Sequence, residues 1–128
     1  MKGLVIKEPY IDYIVDGTKY WEMRKRPTTI RGPIALIKKG SGLIVGVARI
    51  VDSLPELSAS EMTLHFHKHR IPHEDIETTE WRHPWVLESA QRLPNPVPYE
   101  HPSGAVIWVN LAPSVEAEIR CLAPTVFR

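Results

Sequence analysis

Residues 17–32 read Gly-Thr-Lys-Tyr-Trp-Glu-Met-Arg-Lys-Arg-Pro-Thr-Thr-Ile-Arg-Gly and gather Lys19, Glu22, Arg24, Arg26 and Arg31 about one short segment. A carboxylate held among guanidinium and ammonium groups stays ionised and orients its neighbours. A guanidinium fork matches a phosphate or the edge of a planar base. If the segment is a strand, Trp21 and Met23 point to one face and Tyr20, Glu22, Arg24 and Arg26 to the other. One face then anchors the strand while the other recognises a ligand.

The surrounding charge says what kind of ligand. Residues 19–39 hold seven Lys or Arg against one acid, whereas the rest of the chain holds nine against fourteen, so a net charge of +1 hides a local excess of cations on an acidic body. Attraction is therefore local, and the remaining surface repels long polyanions. Short RNA or a nucleotide fits this pattern better than duplex DNA. The bland alternative is a solvated cationic face paired with surface carboxylates, with Lys19, Glu22 and Arg24 as a structural ion-pair ladder.

Other residues carry weaker chemistry. His65, His67 and His69 stand two apart, so a helix puts only His65 and His69 on one face, short of the three or four ligands that zinc wants, and no metal or cofactor is expected. Trp81 and Trp85 flank Arg82-His83-Pro84, where one ring is expected in the core and the other is placed to stack a base. Tyr99-Glu100-His101 lies in a Pro-rich stretch that is placed to lid a cleft. Gly40-x-Gly42-x-x-x-Gly46 is no phosphate loop, because a β-branched run follows it instead of a helix. The single cysteine, Cys121, excludes an internal disulfide and reads as an inert thiol.

The elements that must position these groups can be read from periodicity and punctuation. A strand is expected over 3–7, then a short helix starting at Pro9 with Tyr10, Ile11, Ile14 and Val15 inward, ended by Gly17. The basic strand spans 19–26 and turns at Pro27. Strands over 34–38 and 43–51 join in a hairpin through Gly40-Ser41-Gly42. Ser58-Ala59-Ser60-Glu61 has the form of a capping box, opening a helix to about His69. A further short helix is placed within 73–82. Strands over 85–90 and 104–110 are separated by a connection rich in proline (Pro94, Pro96, Pro98, Pro102), and residues 113–128 are left as a tail or trailing strand.

With 128 residues, 43% apolar content, 7 Gly and 12 Pro scattered between short apolar runs, the chain reads as one mostly β domain over 1–112, of α+β class. An open sheet of this size leaves costly edges, so a small mixed barrel of five to six strands with flanking short helices is expected. No run approaches the ~20 apolar residues of a membrane span and the start is too short for a signal core, so a cytoplasmic location is expected, as a monomer or a dimer.

In this order of elements, Gly17, Lys19, Glu22 and Arg24 form a Gly-x-Lys-x-x-Glu-x-Arg pattern that resembles the ASCH domain, a family of PUA-like barrels proposed to bind RNA. The opening Leu4-Val5-Ile6-Lys7-Glu8-Pro9-Tyr10, the Arg31-Gly32-Pro33-Ile34-Ala35 strand start, Gly42-Leu43-Ile44-Val45-Gly46 and Gly104-Ala105-Val106-Ile107-Trp108 extend the resemblance over residues 3–112. It implies a ligand cleft between the barrel and its first helix, lined by Lys7, Lys19, Glu22 and Arg24, with Arg26 and Arg31 adding cationic reach.

Some small ASCH proteins hydrolyse N4-acylated cytidines with a Lys base, a Thr nucleophile and an assisting Glu. By resemblance Lys19 matches the Lys, but Glu22 stands where the Thr belongs. An ionised Glu beside Lys19 is expected to raise the Lys pKa and blunt it as a base, leaving Glu22 to activate a water. Three functions are implied, in this order: recognition of RNA or a nucleoside, an amidohydrolase using Lys19 and Glu22, and a ribonuclease, for which no general acid is evident.

Overall fold

The first strand, β1 (Lys2–Ile6), sends Leu4 and Ile6 into one apolar cluster and Val5 into another, and β3 (Gly32–Lys38) repeats the division with Ile34 and Leu36 against Ala35 and Ile37. The period-2 alternation thus buries both faces of one sheet. These features belong to a computed structural model of the chain that describes residues 1–128. Strands β2 (Trp21–Arg24), β4 (Leu43–Ser53), β5 (His83–Pro98) and β6 (Trp108–Asn110) complete a six-stranded mixed sheet in the order β2-β5-β4-β3-β1-β6. Only β1 and β3 pair in parallel. The sheet curls into a half-barrel of α+β class, with β2 and β6 as its two edges.

Helix α1 (Tyr10–Val15) turns Ile11, Ile14 and Val15 onto the Leu4 side of the sheet and stops at Gly17, whose φ of +88° suits a residue without Cβ. Ser58 and Glu61 make the reciprocal capping box, opening α2 (Ala59–Leu64). The helix expected to run to His69 instead breaks at His65 and resumes as the single turn α3 (Phe66–His69), ended by Arg70 at φ +64°. Met62, Ile71 and Ile76 from this region pack on Trp21 and Met23 and hold β2 in place. Within 73–82 only one 3-10 turn forms, at His73–Asp75.

Three other expectations change. The Pro-rich stretch is not a connection: β5 runs through Pro94, Pro96 and Pro98, with Leu93 buried just before them and Val97 buried among them. Beyond Val86 the far side of β5 carries no partner strand, since β2 pairs only with His83–Val86, and an edge tolerates prolines that donate nothing. The closing strand is confined to Trp108–Asn110, leaving Val106 and Ile107 exposed. Residues 113–128 form neither strand nor loose tail. They build α4 (Pro113–Leu122) and a 3-10 turn, and Ile119, Ala123 and Val126 cover the Val5 face of the sheet. That face is apolar and needs a lid. No helix is long and apolar enough to cross a membrane.

Candidate functional site

Where the half-barrel stays open, β2 faces the end of β1 and the first turn of α1 across a cavity of about 460 Å³. Its walls are Tyr10, Met23, Ile71, Trp81 and Trp85, its mouth carries Lys7, Lys25, Arg26, Lys39, Val106 and Ile107, and Lys19, Glu22 and Arg24 line its interior. A mostly apolar and aromatic pocket of a few hundred Å³ with a few convergent polar groups is the usual form of a small-molecule site.

The sequence placed Glu22 on an outward, recognising face, but it is 6% exposed, and Lys19 only 1%. Lys19 precedes β2, and its Nζ turns inward to donate to the carbonyls of Trp21 and His69, the latter at 3.1 Å, and lies 3.3 Å from Glu22 Oε1. Three acceptors meet the three protons of the ammonium. The other carboxylate oxygen, Oε2, accepts from Arg24 Nε at 3.0 Å and Nη2 at 2.7 Å. Arg24 also donates to the Val5 carbonyl and lies over the Trp85 ring, 5.6 Å from its centroid. The three charged side chains therefore form one braced cluster in which Glu22 is shared by two cations.

Burial lowers the Lys19 pKa, with Glu22 pulling the other way and Arg24 adding to the fall. The sequence reading expected the carboxylate to dominate and raise it. Desolvation wins because the ammonium is almost wholly withdrawn from water. Tyr10, whose ring lies 5.4 Å from the same ammonium, is shifted upward by burial and by the charges of Asp75 and Glu22.

The aromatic walls are fixed unequally. Trp85 is buried, stacks on Trp108 with 8° between the rings, and donates Nε1 to the Arg26 carbonyl at 2.9 Å. Trp81 is half-buried and faces the cavity with Lys7 over its ring. Of the other residues singled out by sequence, Lys7 and Arg26 line the mouth, and the Arg26 guanidinium makes no hydrogen bond or ion pair within the chain. Arg31 stands apart, bonded to the carbonyls of Thr28 and Ile30 and within 4.0 Å of Asp52, so it does not join the pocket. His101 braces its own loop between Tyr99 and the Ala105 carbonyl, outside the pocket lining.

Sequence reasoning missed His69. It read as part of a solvated His-rich helix, yet it is fully buried, its Nδ1 accepting from the Ile71 amide at 2.9 Å and its Nε2 2.7 Å from the Met62 carbonyl, while its own carbonyl receives Lys19. The sequence signal was the turn at Arg70-Ile71-Pro72, which reverses the chain and leaves the residue before it inside. No group of three or more His, Cys, Asp or Glu side chains is arranged to hold a metal ion.

Comparison with known proteins agrees with this fold. The ASCH domain pattern matches residues 4–97. An ASCH protein from Zymomonas mobilis is similar in structure, with a TM-score of 0.69 at 14% identity, covering 94% of each chain. A tyrosine-to-phenylalanine variant of that protein gives a TM-score of 0.67 at 14% identity over 94% of this chain and 96% of the other. At that identity the likeness establishes the fold alone. No curated protein matches the chain by sequence.

Proposed function

The chain belongs to the ASCH domain family, and from that premise we propose that its pocket recognises a nucleobase, presented by a nucleoside, a nucleotide or RNA. The observation that carries this reading is the combination of aromatic walls with a buried, fully braced Lys19–Glu22–Arg24 cluster beneath a rim of cations. Trp81 and Tyr10 offer faces on which any base stacks, and base–aromatic stacking is worth about 1–3 kcal/mol per base. Lys7, Lys25, Arg26 and Lys39 supply positive charge at the mouth for the sugar-phosphate attached to a base. Arg24, with Nε and Nη2 committed to Glu22 and Val5, keeps Nη1 for an acceptor on the base edge.

The second reading is hydrolysis of an acylated cytidine by Lys19 and Glu22. It is favoured by their 3.3 Å contact and by the burial that lowers the Lys19 pKa against the upward pull of Glu22. Against it, every proton of Lys19 is already spoken for, both oxygens of Glu22 are engaged, and no Thr stands where the related hydrolases carry one. The ribonuclease reading gains no support, since no acid lies free in the cavity.

Titration of the purified protein with the four ribonucleosides, their 5′-monophosphates and a short oligoribonucleotide, followed by tryptophan fluorescence, tests the recognition reading. Saturable binding that Trp81→Ala weakens by about tenfold is expected. Absence of binding to any of them overturns it. Incubation with N4-acylcytidines tests the hydrolase reading: release of cytidine that Glu22→Gln abolishes would establish it, and no turnover removes it.

A further inference from the structure

We propose that Lys7 makes this pocket select a phosphorylated nucleotide over a free nucleoside, an inference that rests on the nucleobase reading above. Lys7 comes directly after β1 and is exposed, yet its Nζ is turned onto two aromatic rings. It lies 4.6 Å from the centroid of the Trp81 ring and 5.8 Å from that of Tyr10. No carboxylate lies within ion-pair distance of it, in contrast to Lys25, which meets Glu80 at 3.0 Å, and Lys38, which meets Glu8. The two rings that hold the ammonium are the two that a ligand would use. The third, Trp85, is already covered by Arg24 and stacked on Trp108.

The aromatic face is thus covered by a cation of the chain itself. A planar base entering the pocket has to displace that ammonium and forfeit its attraction to the rings. Whether the loss is recovered depends on the group attached to the base. A neutral nucleoside returns nothing, and its apparent affinity is reduced by the fraction of protein in which Lys7 is still seated. A nucleotide brings an anion to the mouth, where Lys7, free on a four-carbon stem beside Arg26 and Lys39, regains a partner for its three charge-assisted donors. One lysine thus penalises the nucleoside and rewards the phosphate. The phosphate can come from a free mononucleotide or from the phosphodiester of an RNA chain, and the chemistry at Lys7 is the same.

The test compares wild type and Lys7→Ala for binding a nucleoside, its 5′-monophosphate and a trinucleotide of the same base at fixed ionic strength. Lys7 makes no side-chain hydrogen bond and loses only its attraction to the rings, so the variant is expected to stay folded and melt slightly below the wild type. Removing the plug should tighten the nucleoside by about two- to fivefold. Removing the charge should weaken at least one phosphorylated ligand by roughly tenfold. Loss for the monophosphate identifies a free nucleotide as the phosphate source, and loss for the trinucleotide alone identifies an RNA chain. Equal weakening of all three ligands, or no change in any, overturns the proposal while leaving base recognition intact. If neither protein binds any of the three, the base-recognition reading itself fails.

Discussion

Arg24 donates from Nη2 to the carbonyl of Val5 at 2.8 Å, tying β2 to β1 where the sheet has no ladder to do so. Val5 receives its other partner on the same side, its amide donating to the Ile107 carbonyl at 2.9 Å. A side chain therefore closes the seam that a strand would close in a full barrel. Because the same guanidinium holds Glu22, the seam and the pocket floor are one construction.

Arg24→Ala should accordingly lower stability by about 2–3 kcal/mol, less than the ~3–5 kcal/mol for removing one partner of a fully buried pair because Arg24 is 19% exposed. Arg24→Lys keeps the charge but cannot serve Glu22 and Val5 together, and should fall between the two. Urea midpoints of the three proteins check this order, and a lysine variant as stable as wild type would contradict the role of the fork.

Lys19→Met leaves Glu22 Oε1 and two main-chain carbonyls buried without a donor. A loss of about 3–5 kcal/mol is expected. A double variant with Glu22→Gln should cost clearly less than the two single losses combined, since the second change removes the charge the first one strands. Additive losses would mean that the 3.3 Å contact carries no coupling. A binding defect in Lys19 variants is therefore to be read only after their stability is known.

The contrast between Lys19 and Arg31 shows what was legible in the chain. Both belong to the same cationic run, and the resemblance and the charge balance drew both into one site. Only folding separates them, because Lys19 finds three acceptors supplied by residues 21, 22 and 69, and no spacing rule reports that His69 lies opposite. The order of β1, α1, β2 and the β3–β4 hairpin was readable because each is a local pattern with its own stop signal. The prolines of β5 were misleading because they mark a connection unless one knows that the strand's far edge is unpaired. Helix α4 was missed because what it covers, the Val5 face, exists only once the sheet has formed.

Gly46 offers a test of the packing between α1 and the sheet. It ends the Gly40-x-Gly42-x-x-x-Gly46 run, where a Cβ would lie 2.5 Å from Val15 Cγ1 and 2.9 Å from the Gln91 carbonyl oxygen. The glycine is there so that α1 can approach β4. Gly46→Ala should cost about 1–3 kcal/mol and displace α1, which carries Tyr10. Thermal melting reads the first effect, and weakened nucleoside binding the second.

Arg26 should behave in the opposite way. Exposed and unpartnered at the mouth, it also lines a second, wholly polar cavity of about 430 Å³ that shares Lys25 with the first. Arg26→Ala should leave stability within about 0.5 kcal/mol while lowering affinity for an oligoribonucleotide and shallowing its salt dependence by about one unit of slope. An unchanged slope would place the RNA backbone elsewhere.

Stability should fall toward acid through His69. Its Nδ1 accepts the Ile71 amide, so the ring proton sits on Nε2 and donates to Met62, and a second proton would set one N–H against another. Burial lowers its pKa, opposed by the bond to Met62 and assisted by the charges of Lys19, His65 and His73. The folded value thus lies below the unfolded value near 6.5, and as pH drops the unfolded chain takes up the proton first. This contribution is complete above about pH 7 and is lost progressively below 6.5, until the folded pKa is reached. Wild type should lose more stability between pH 7.5 and pH 5.5 than His69→Gln, which starts about 1–3 kcal/mol lower but has no imidazole to titrate. Parallel urea midpoints for the two proteins across that range would refute the assignment.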